Sequence, residues 1–450
     1  MKRTGIVWFR SDLRLHDNEA LHEAIHACDQ VIPVYVFEPI FLEKSKRFGM
    51  PRMGINRLRF LIESVENLRE NIRQRGNELL IRVGPAEDII FDLAQQFRTS
   101  WVFCNRERTR DEVNIQDRLE KKLWSIGQEM RFSRGKMTYY TQDLPFPITQ
   151  TPDSFATFKK EVENFITVRP PLATPKTIPA LAEQTIEAGE IPDPAYLLEG
   201  VVMATAQSEI RGGETQGIAR LEEFASGSKG IRMYDAWRDG LDDKTSLISA
   251  YLSNGSLSPK KVYEAVCTRK DRRFGDDSTR FFNVLMWRDF LRLMGKKHGD
   301  KIFQPGGTNG IVRQDLVEDW SSFETWRKGQ TGVPVIDACM RKLNSTGFIS
   351  NRARKLVSSY LINDLSVSWL MGAEYFESVL IDYDPCSNYG NWNYAAGVDS
   401  DTYSEVVLNI GSQAKKLDPD ASFTRKWAKE YRSFSSNQIQ QLYDRAEMAI

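Results

Sequence analysis

The chain has 450 residues, enough for roughly two to four domains with ample cores. Its 61 Lys and Arg balance 61 Asp and Glu, so affinity for nucleic acid has to come from a local patch and not from bulk charge. The 41% apolar and 27% charged content is that of a soluble globular protein. The five cysteines (Cys28, Cys104, Cys267, Cys339, Cys386) form no CxxC pair and the four histidines no HExxH. This argues against a disulfide framework, a zinc ribbon or zinc hydrolysis, and fits reduced thiols in a cytoplasmic protein. The apolar run 6–9 behind the basic start is too short for a signal peptide, and no stretch is long enough to span a bilayer. A membrane location is therefore not expected.

The first third alternates short β-rich apolar runs with stretches of helical period. Runs at 5–9 (GIVWF), 31–37 (VIPVYVF), 79–83 (LLIRV), 101–104 (WVFC) and 130–132 predict strands, and 58–75 and 87–97 predict helices between them. Asp17 and Pro85 are the expected helix starts. The alternation implies a Rossmann-like parallel sheet with crossover helices, an α/β domain over 1–133. No GxGxxG follows the first strand; Arg10-Ser11-Asp12-Leu13-Arg14 stands there, which argues against dinucleotide binding at that turn. Over 134–213 periodicity fades and prolines cluster, predicting an interdomain connector with a short helix near 154–165. From 214 to 450 strand-like runs vanish. Helical patterns at 259–266, 280–297, 335–343 and 352–365 predict an all-helical domain.

Several groups in the second half carry chemistry. Thr245-Ser246-Leu247-Ile248-Ser249 opens a short helix, and three hydroxyls beside free backbone N–H groups suit an anion such as a phosphate. Arg288, Arg292 and Lys296, four apart beside Trp287 and Phe290, predict a basic stripe suited to a phosphate backbone with bases stacking nearby. Apolar spacing over 372–380 predicts a helix that ends at Asp382, followed by an amide- and aromatic-rich loop (381–397) punctuated by Pro385 and Gly390. Acids at a helix C-terminus oppose its dipole, and Arg354 is the natural cationic partner for Asp382 or Asp384.

These residues fall within a longer set of motifs: VWFRSDLRLHDN (7–18), TSLIS (245–249), GSLSP (255–259), WRDFLR (287–292), QTGVPVIDACMRKLNSTGF (330–348), SNRAR (350–354) and DYDPCSNYGNWNYAAGVDSD (382–401). In this order they resemble the photolyase/cryptochrome family, and within it the DASH cryptochromes. The resemblance spans nearly the whole chain, and CSNYGNWNY resembles the DASH form of the flavin loop.

That resemblance implies an α/β antenna domain, a connector, and a helical domain holding FAD. Tyr234 and the five residues Thr245, Ser246, Leu247, Ile248 and Ser249 would hold the pyrophosphate. Asp382 and Asp384 would meet the polar edges of flavin and adenosine, with Arg354 paired to Asp382. Asn388 would stand at the flavin N5, and Trp392 and Trp369 would begin the electron chain that photoreduces the flavin. Glu107 matches a carboxylate that holds a folate (methenyltetrahydrofolate) antenna. Near DNA the matching positions are Arg238, Val284, Trp287, Arg288, Asn351, Arg352, Tyr394 and Gln413. The implied partner is DNA carrying pyrimidine dimers, with single strands preferred, bound by a monomer.

Four departures stand out. Val284 replaces a Glu that hydrogen-bonds the dimer in photolyases, and Lys355 a Met or Gln facing the pocket. Leu316 falls where the third electron-chain Trp is expected, with Trp320 and Trp326 nearby. Leu247 replaces a basic residue of the phosphate loop. The leading expectation is a cyclobutane pyrimidine dimer photolyase; the alternative, motivated by Val284, is a blue-light photoreceptor with weak or no repair.

Overall fold

The computed structural model describes residues 2–181, 186–198, 208–226, 230–231, 234, 240–241, 245–267, 275–401 and 407–448. Each apolar run of the first third is a strand: β1 Thr4–Phe9, β2 Gln30–Phe37, β3 Leu80–Val83, β4 Trp101–Asn105 and β5 Glu129–Ser133. All pair in parallel, in the order β3-β2-β1-β4-β5. β1 is buried throughout because alternate side chains serve two cores. Val7 and Phe9 pack with Leu21, Leu58 and Leu68 on one face; Ile6 and Trp8 pack with Ile90, Ile115 and Leu119 on the other. The chain runs outward from β1 to β2 and β3, then returns to β4 on the opposite side, so a crevice opens at the carboxyl ends of β1 and β4.

The Arg10–Asn18 segment after β1 is a buried polar fastening between the two halves of the molecule. Arg14 donates to the carbonyls of His16, Asp17, Gly135 and Gly255 at 2.8–3.1 Å. Glu214 accepts from the Leu15 and His16 N–H groups, each at 2.9 Å, and lies 2.6 Å from His16 Nδ1. The other ring nitrogen of that imidazole accepts from Ser258 N at 3.1 Å, which sets its tautomer. Lys260 pairs with Asp17 at 2.8 Å. Asp17 is taken up by this network, and Asn18 instead caps the first helix, accepting from Leu21 N at 3.0 Å. A Cβ on Gly255 would lie 2.2 Å from the Ser11 carbonyl, so the two halves approach as backbone on backbone.

Among the described residues of the connector, helical segments are limited to Ile148–Gln150, Phe155–Phe165 and Pro194–Leu197. Helices then dominate, and Gly275–His298 runs through their midst. Phe281, Leu285, Met286, Phe290, Leu291, Leu293 and Met294 bury it on most sides. The expected basic stripe on this helix is therefore not a surface feature. Arg292 is 2% exposed and bonded to Asp384, and Arg288 donates to the carbonyls of Lys136 and Leu252 at 3.0 and 3.1 Å. Lys296 alone of the three is exposed. Helical spacing put the three cations on one face, but that face packs against the α/β half. Among the described residues no helix is long and apolar enough to cross a membrane.

Candidate functional site

The segment expected to be an open loop after Asp382 is a helix, Pro385–Ala395. Asp384 caps it, accepting from Ser387 N at 2.8 Å, and Pro385 takes the first helical position, where its missing N–H costs nothing. The acid thus stands at a helix N-terminus, where the dipole favours it. Its other oxygen is held by Arg292. Burial raises its pKa, but Arg292 and Arg288 outweigh that and leave the carboxyl below its usual range.

Asp382 lies in the turn between the helices Trp369–Val379 and Pro385–Ala395. Arg354 Nη2 donates to both its oxygens, at 2.9 and 2.8 Å, and Ser249 Oγ donates at 2.7 Å. The 245–249 turn is thereby fastened to the Asp382 turn. Arg220 grips the turn from behind, donating to the carbonyls of Ser246 and Thr245 at 2.8 Å each. Leu247 sits at φ 56°, a left-handed conformation that costs a side chain about 1 kcal/mol or more. Thr245 Oγ1 is buried without a hydrogen-bond partner among the described residues.

Asn388 and Trp392 are one turn apart on the Pro385–Ala395 helix. Asn388 is buried and donates from Nδ2 to the Ala373 carbonyl at 2.9 Å. That bond fixes the plane of its amide, and Oδ1 accepts no hydrogen bond among the described residues. Trp392 is buried, edge-on to Phe376 at 5.1 Å and to Trp326 at 6.5 Å between ring centroids. Only a glycine admits it: a Cβ at position 372 would meet the Trp392 ring at 2.3 Å. Trp369 is also buried, its indole donating to Pro305 O at 3.1 Å.

Another face of the same helix reaches the surface. Trp287 Nε1 donates to Asn391 Oδ1 at 3.1 Å, and the Trp287 ring stands edge-on to Tyr394 at 5.8 Å. Phe155 supports Trp287 from the other side at 5.0 Å. Val284, one turn before Trp287, is 45% exposed. Asn351 and Lys355 are exposed, and Arg352 and Gln413 half-buried. Tyr234 is buried in an aromatic cluster with Phe224 and Phe281. Arg238 lies outside the described residues.

The structure therefore brings together Ser249, Asp382 and Arg354, then Asn388 with Trp392, then Trp287 with Tyr394. Arg288 and Asp384 turn instead toward the α/β half. So does Glu107, which is buried 2.5 Å from Lys136 and 3.7 Å from Arg292. Burial raises its pKa, yet Lys136, Arg10 and Arg292 prevail and keep it ionised. Glu107 lines both of two pockets that lie between the α/β half and the helical half, one bounded by Phe9, Glu38, Arg57 and Asp384 and the other by Arg134, Met137 and Lys296. Two further residues of the first of these pockets, Arg57 and Glu38, escaped the sequence reading. Arg57 is buried with Nε and Nη1 unbonded among the described residues and stacks over Tyr383 at 4.6 Å; burial lowers its pKa to about 10. Burial raises Glu38 to about 7. Glu38 directly follows β2, a position the crevice rule for open parallel sheets points to. Arg220 left no sequence signal.

Comparison with known proteins matches residues 5–177 to the DNA photolyase family and 281–449 to the FAD binding domain of DNA photolyase. A cryptochrome DASH of Gloeobacter violaceus is 41% identical over 95% of this chain and 86% of its own length. The crystal structure of a Synechocystis cryptochrome superposes with a TM-score of 0.91 at 36% identity, covering 98% of this chain and 91% of that one. An archaeal photolyase from Sulfolobus tokodaii, solved with two FAD molecules, gives a TM-score of 0.81 at 28% identity over 98% of this chain and 94% of its own. With its parallel sheet, its helical FAD-binding domain and kinship along its whole length, the chain belongs to the photolyase/cryptochrome family, in the DASH branch.

Proposed function

We propose that the chain is a light-driven photolyase that splits cyclobutane pyrimidine dimers, preferring single-stranded DNA. The observation that carries this reading is the Pro385–Ala395 helix, which bears Asn388 and Trp392 on an inner face and Asn391 and Tyr394 against Trp287 on an outer one. The residues present fit FAD: Thr245 Oγ1 is orphaned among the described residues, and Asn388 Oδ1 awaits a donor. When bound and reduced, FAD supplies one electron to the dimer on absorbing blue light and takes it back once the ring has opened. The rest falls to this chain. Asp382, fixed by Arg354 and Ser249, would accept from the cofactor's polar edge, and the 245–249 turn with Tyr234 would meet the pyrophosphate. Asn388 would sit at N5, its Oδ1 accepting from a protonated nitrogen and its second N–H serving an unprotonated one.

On the outer face, Trp287 and Tyr394 would offer ring surfaces to an extruded dimer. Such stacking is worth about 1–3 kcal/mol per base. That offsets an extrusion cost of a few kcal/mol, which is least in single strands. Asn351, Arg352, Gln413 and, by resemblance, Arg238 would approach the DNA. Arg288 would act through Lys136 and Leu252, whose carbonyls it holds. For the antenna we read the interdomain cavities as a second chromophore site with Glu107 in its wall. A folate is the ligand expected, and the second FAD of the Sulfolobus tokodaii photolyase supports a chromophore site beyond the first.

The reading is tested by illuminating the reduced, flavin-loaded protein with a single-stranded oligonucleotide containing one thymine dimer. Light-dependent loss of the dimer is expected. Full flavin content without that loss would refute it and favour a blue-light photoreceptor, a reading that the apolar, exposed Val284 independently supports.

A further inference from the structure

We propose that electrons reach the flavin site through Trp326 and Trp320 rather than through Trp369. This deepens the reading above and rests on FAD lying beside Asn388 and Trp392. Ser368 N donates to Val317 O at 2.8 Å, so the segment carrying Leu316 runs beside Trp369. A saturated side chain cannot hold a one-electron hole. Trp369 is 2% exposed and has no ring contact among the described residues, so a hole arriving there stays buried.

The other branch is continuous. Trp392 and Trp326 stand 6.5 Å apart between centroids, Trp326 and Phe323 5.8 Å, and Phe323 and Trp320 5.7 Å. The last three rings lie on one helix, Trp320–Lys328, at successive i, i+3 positions. Trp326 is fully buried, its indole N–H donating to Val357 O at 2.9 Å. Trp320 is 44% exposed. A positive charge on an indole is poorly solvated inside the protein and well solvated at its surface, so the hole runs downhill to Trp320. Tyr375, 5.9 Å from Trp326, is a poor competitor. Its hydroxyl donates to Asn344 and Arg327 O, neither of them a base that would take its proton.

The electrons balance as follows. Trp392 gives one electron to the light-excited flavin and regains one from Trp326, which regains one from Trp320 across Phe323. Oxidised Trp320 loses its indole proton to water. An external thiol then returns a hydrogen atom to it, and two of the resulting thiyl radicals join as a disulfide. Each light event moves one electron from thiol to flavin.

The test uses the flavin-loaded full-length protein under blue light with dithiothreitol. Trp320→Phe, a surface change that does not endanger folding, should slow flavin reduction about tenfold or more. Trp326→Phe should slow it more than Trp369→Phe does, with flavin content and melting temperature measured for each. An independent readout is peptide mass mapping after illumination in aerated buffer without thiol. Oxygen should add at Trp320 and not at Trp124, which is more exposed at 63% but lies off the route. Unchanged rates in Trp320→Phe, or a greater loss in Trp369→Phe than in Trp326→Phe, would overturn the route alone. A protein that binds no flavin would overturn the parent reading with it.

Discussion

Asp382 is the residue whose loss should be felt first at the flavin site proposed above. Its side chain is 4% exposed and accepts twice from Arg354 and once from Ser249. Hydrogen bonds to a charged group contribute roughly 1.5–3 kcal/mol each, but the three share one carboxylate and do not add. Breaking a buried pair costs about 3–5 kcal/mol. Arg354 is 25% exposed, so water recovers part of its solvation and the low end applies. Asp382→Asn should therefore cost the apoprotein about 3 kcal/mol of stability and, through the lost charged acceptor, weaken FAD binding by about 1.5–3 kcal/mol, roughly tenfold to a hundredfold in Kd. The assay is flavin titration of the apoprotein, followed by tryptophan quenching. Arg354→Ala and the double variant complete a cycle in which a coupling of about 1–3 kcal/mol is expected. A wild-type Kd for Asp382→Asn with the apoprotein's melting temperature unchanged would refute the argument, because the carboxylate would then hold neither the turn nor the ligand.

Other changes probe the remaining parts of the molecule. Glu214→Gln should destabilise the protein by about 3 kcal/mol in urea unfolding, since it discharges a buried acceptor of several donors. Burial raises the Glu214 pKa, but His16 and the backbone donors outweigh it and lower the folded value. Its stabilisation is thus complete above the unfolded carboxylate pKa and fades as pH falls through the depressed one. The variant should lose that part of the acid sensitivity. Glu38 has the opposite sign. Burial chiefly raises it, to about 7, so the folded state keeps a proton that the unfolded chain releases near 4.5. Stability should decline as pH rises between these values, and Glu38→Gln should flatten the decline in melting temperature. Val284→Glu puts an acceptor one turn from Trp287. It should tighten binding of a dimer-containing oligonucleotide by about 1 kcal/mol, roughly fivefold, in a fluorescence titration.

The sheet was legible because its inner strands β2, β1 and β4 are buried on both faces, which leaves apolar runs unlike the helical patterns elsewhere in the chain. The ion pair of Arg354 with Asp382 was legible in part: residue types offered Asp382 or Asp384 as the partner, and the family resemblance chose the one the structure shows. The helix Pro385–Ala395 was not. Its glycine and asparagines are weak helix formers, and tertiary packing overrides them. Gly390 faces Leu291, where a Cβ would meet that side chain at 2.7 Å, so a punctuation mark of the sequence is a packing contact in the structure. Arg292 was misread for a related reason. Periodicity reports which residues share a face, but not whether that face meets solvent or another part of the chain. The clamp at Arg220 and the cavity around Glu38 and Arg57 depend on segments far apart in sequence, and no local pattern encodes them.

The polar fastening after β1 also bears on the order in which the chain matures during synthesis. The five strands end at Ser133, so the sheet can assemble while later residues are still being translated. Arg14 nonetheless gains its fourth acceptor, the Gly255 carbonyl, and His16 its acceptor Glu214 and its donor Ser258 N, only when those residues have left the ribosome. At translation rates of about 5–20 residues per second, the nascent α/β half keeps this fastening incomplete for several seconds or more. That half is a scaffold in waiting, and the helical half completes it as much as it docks against it.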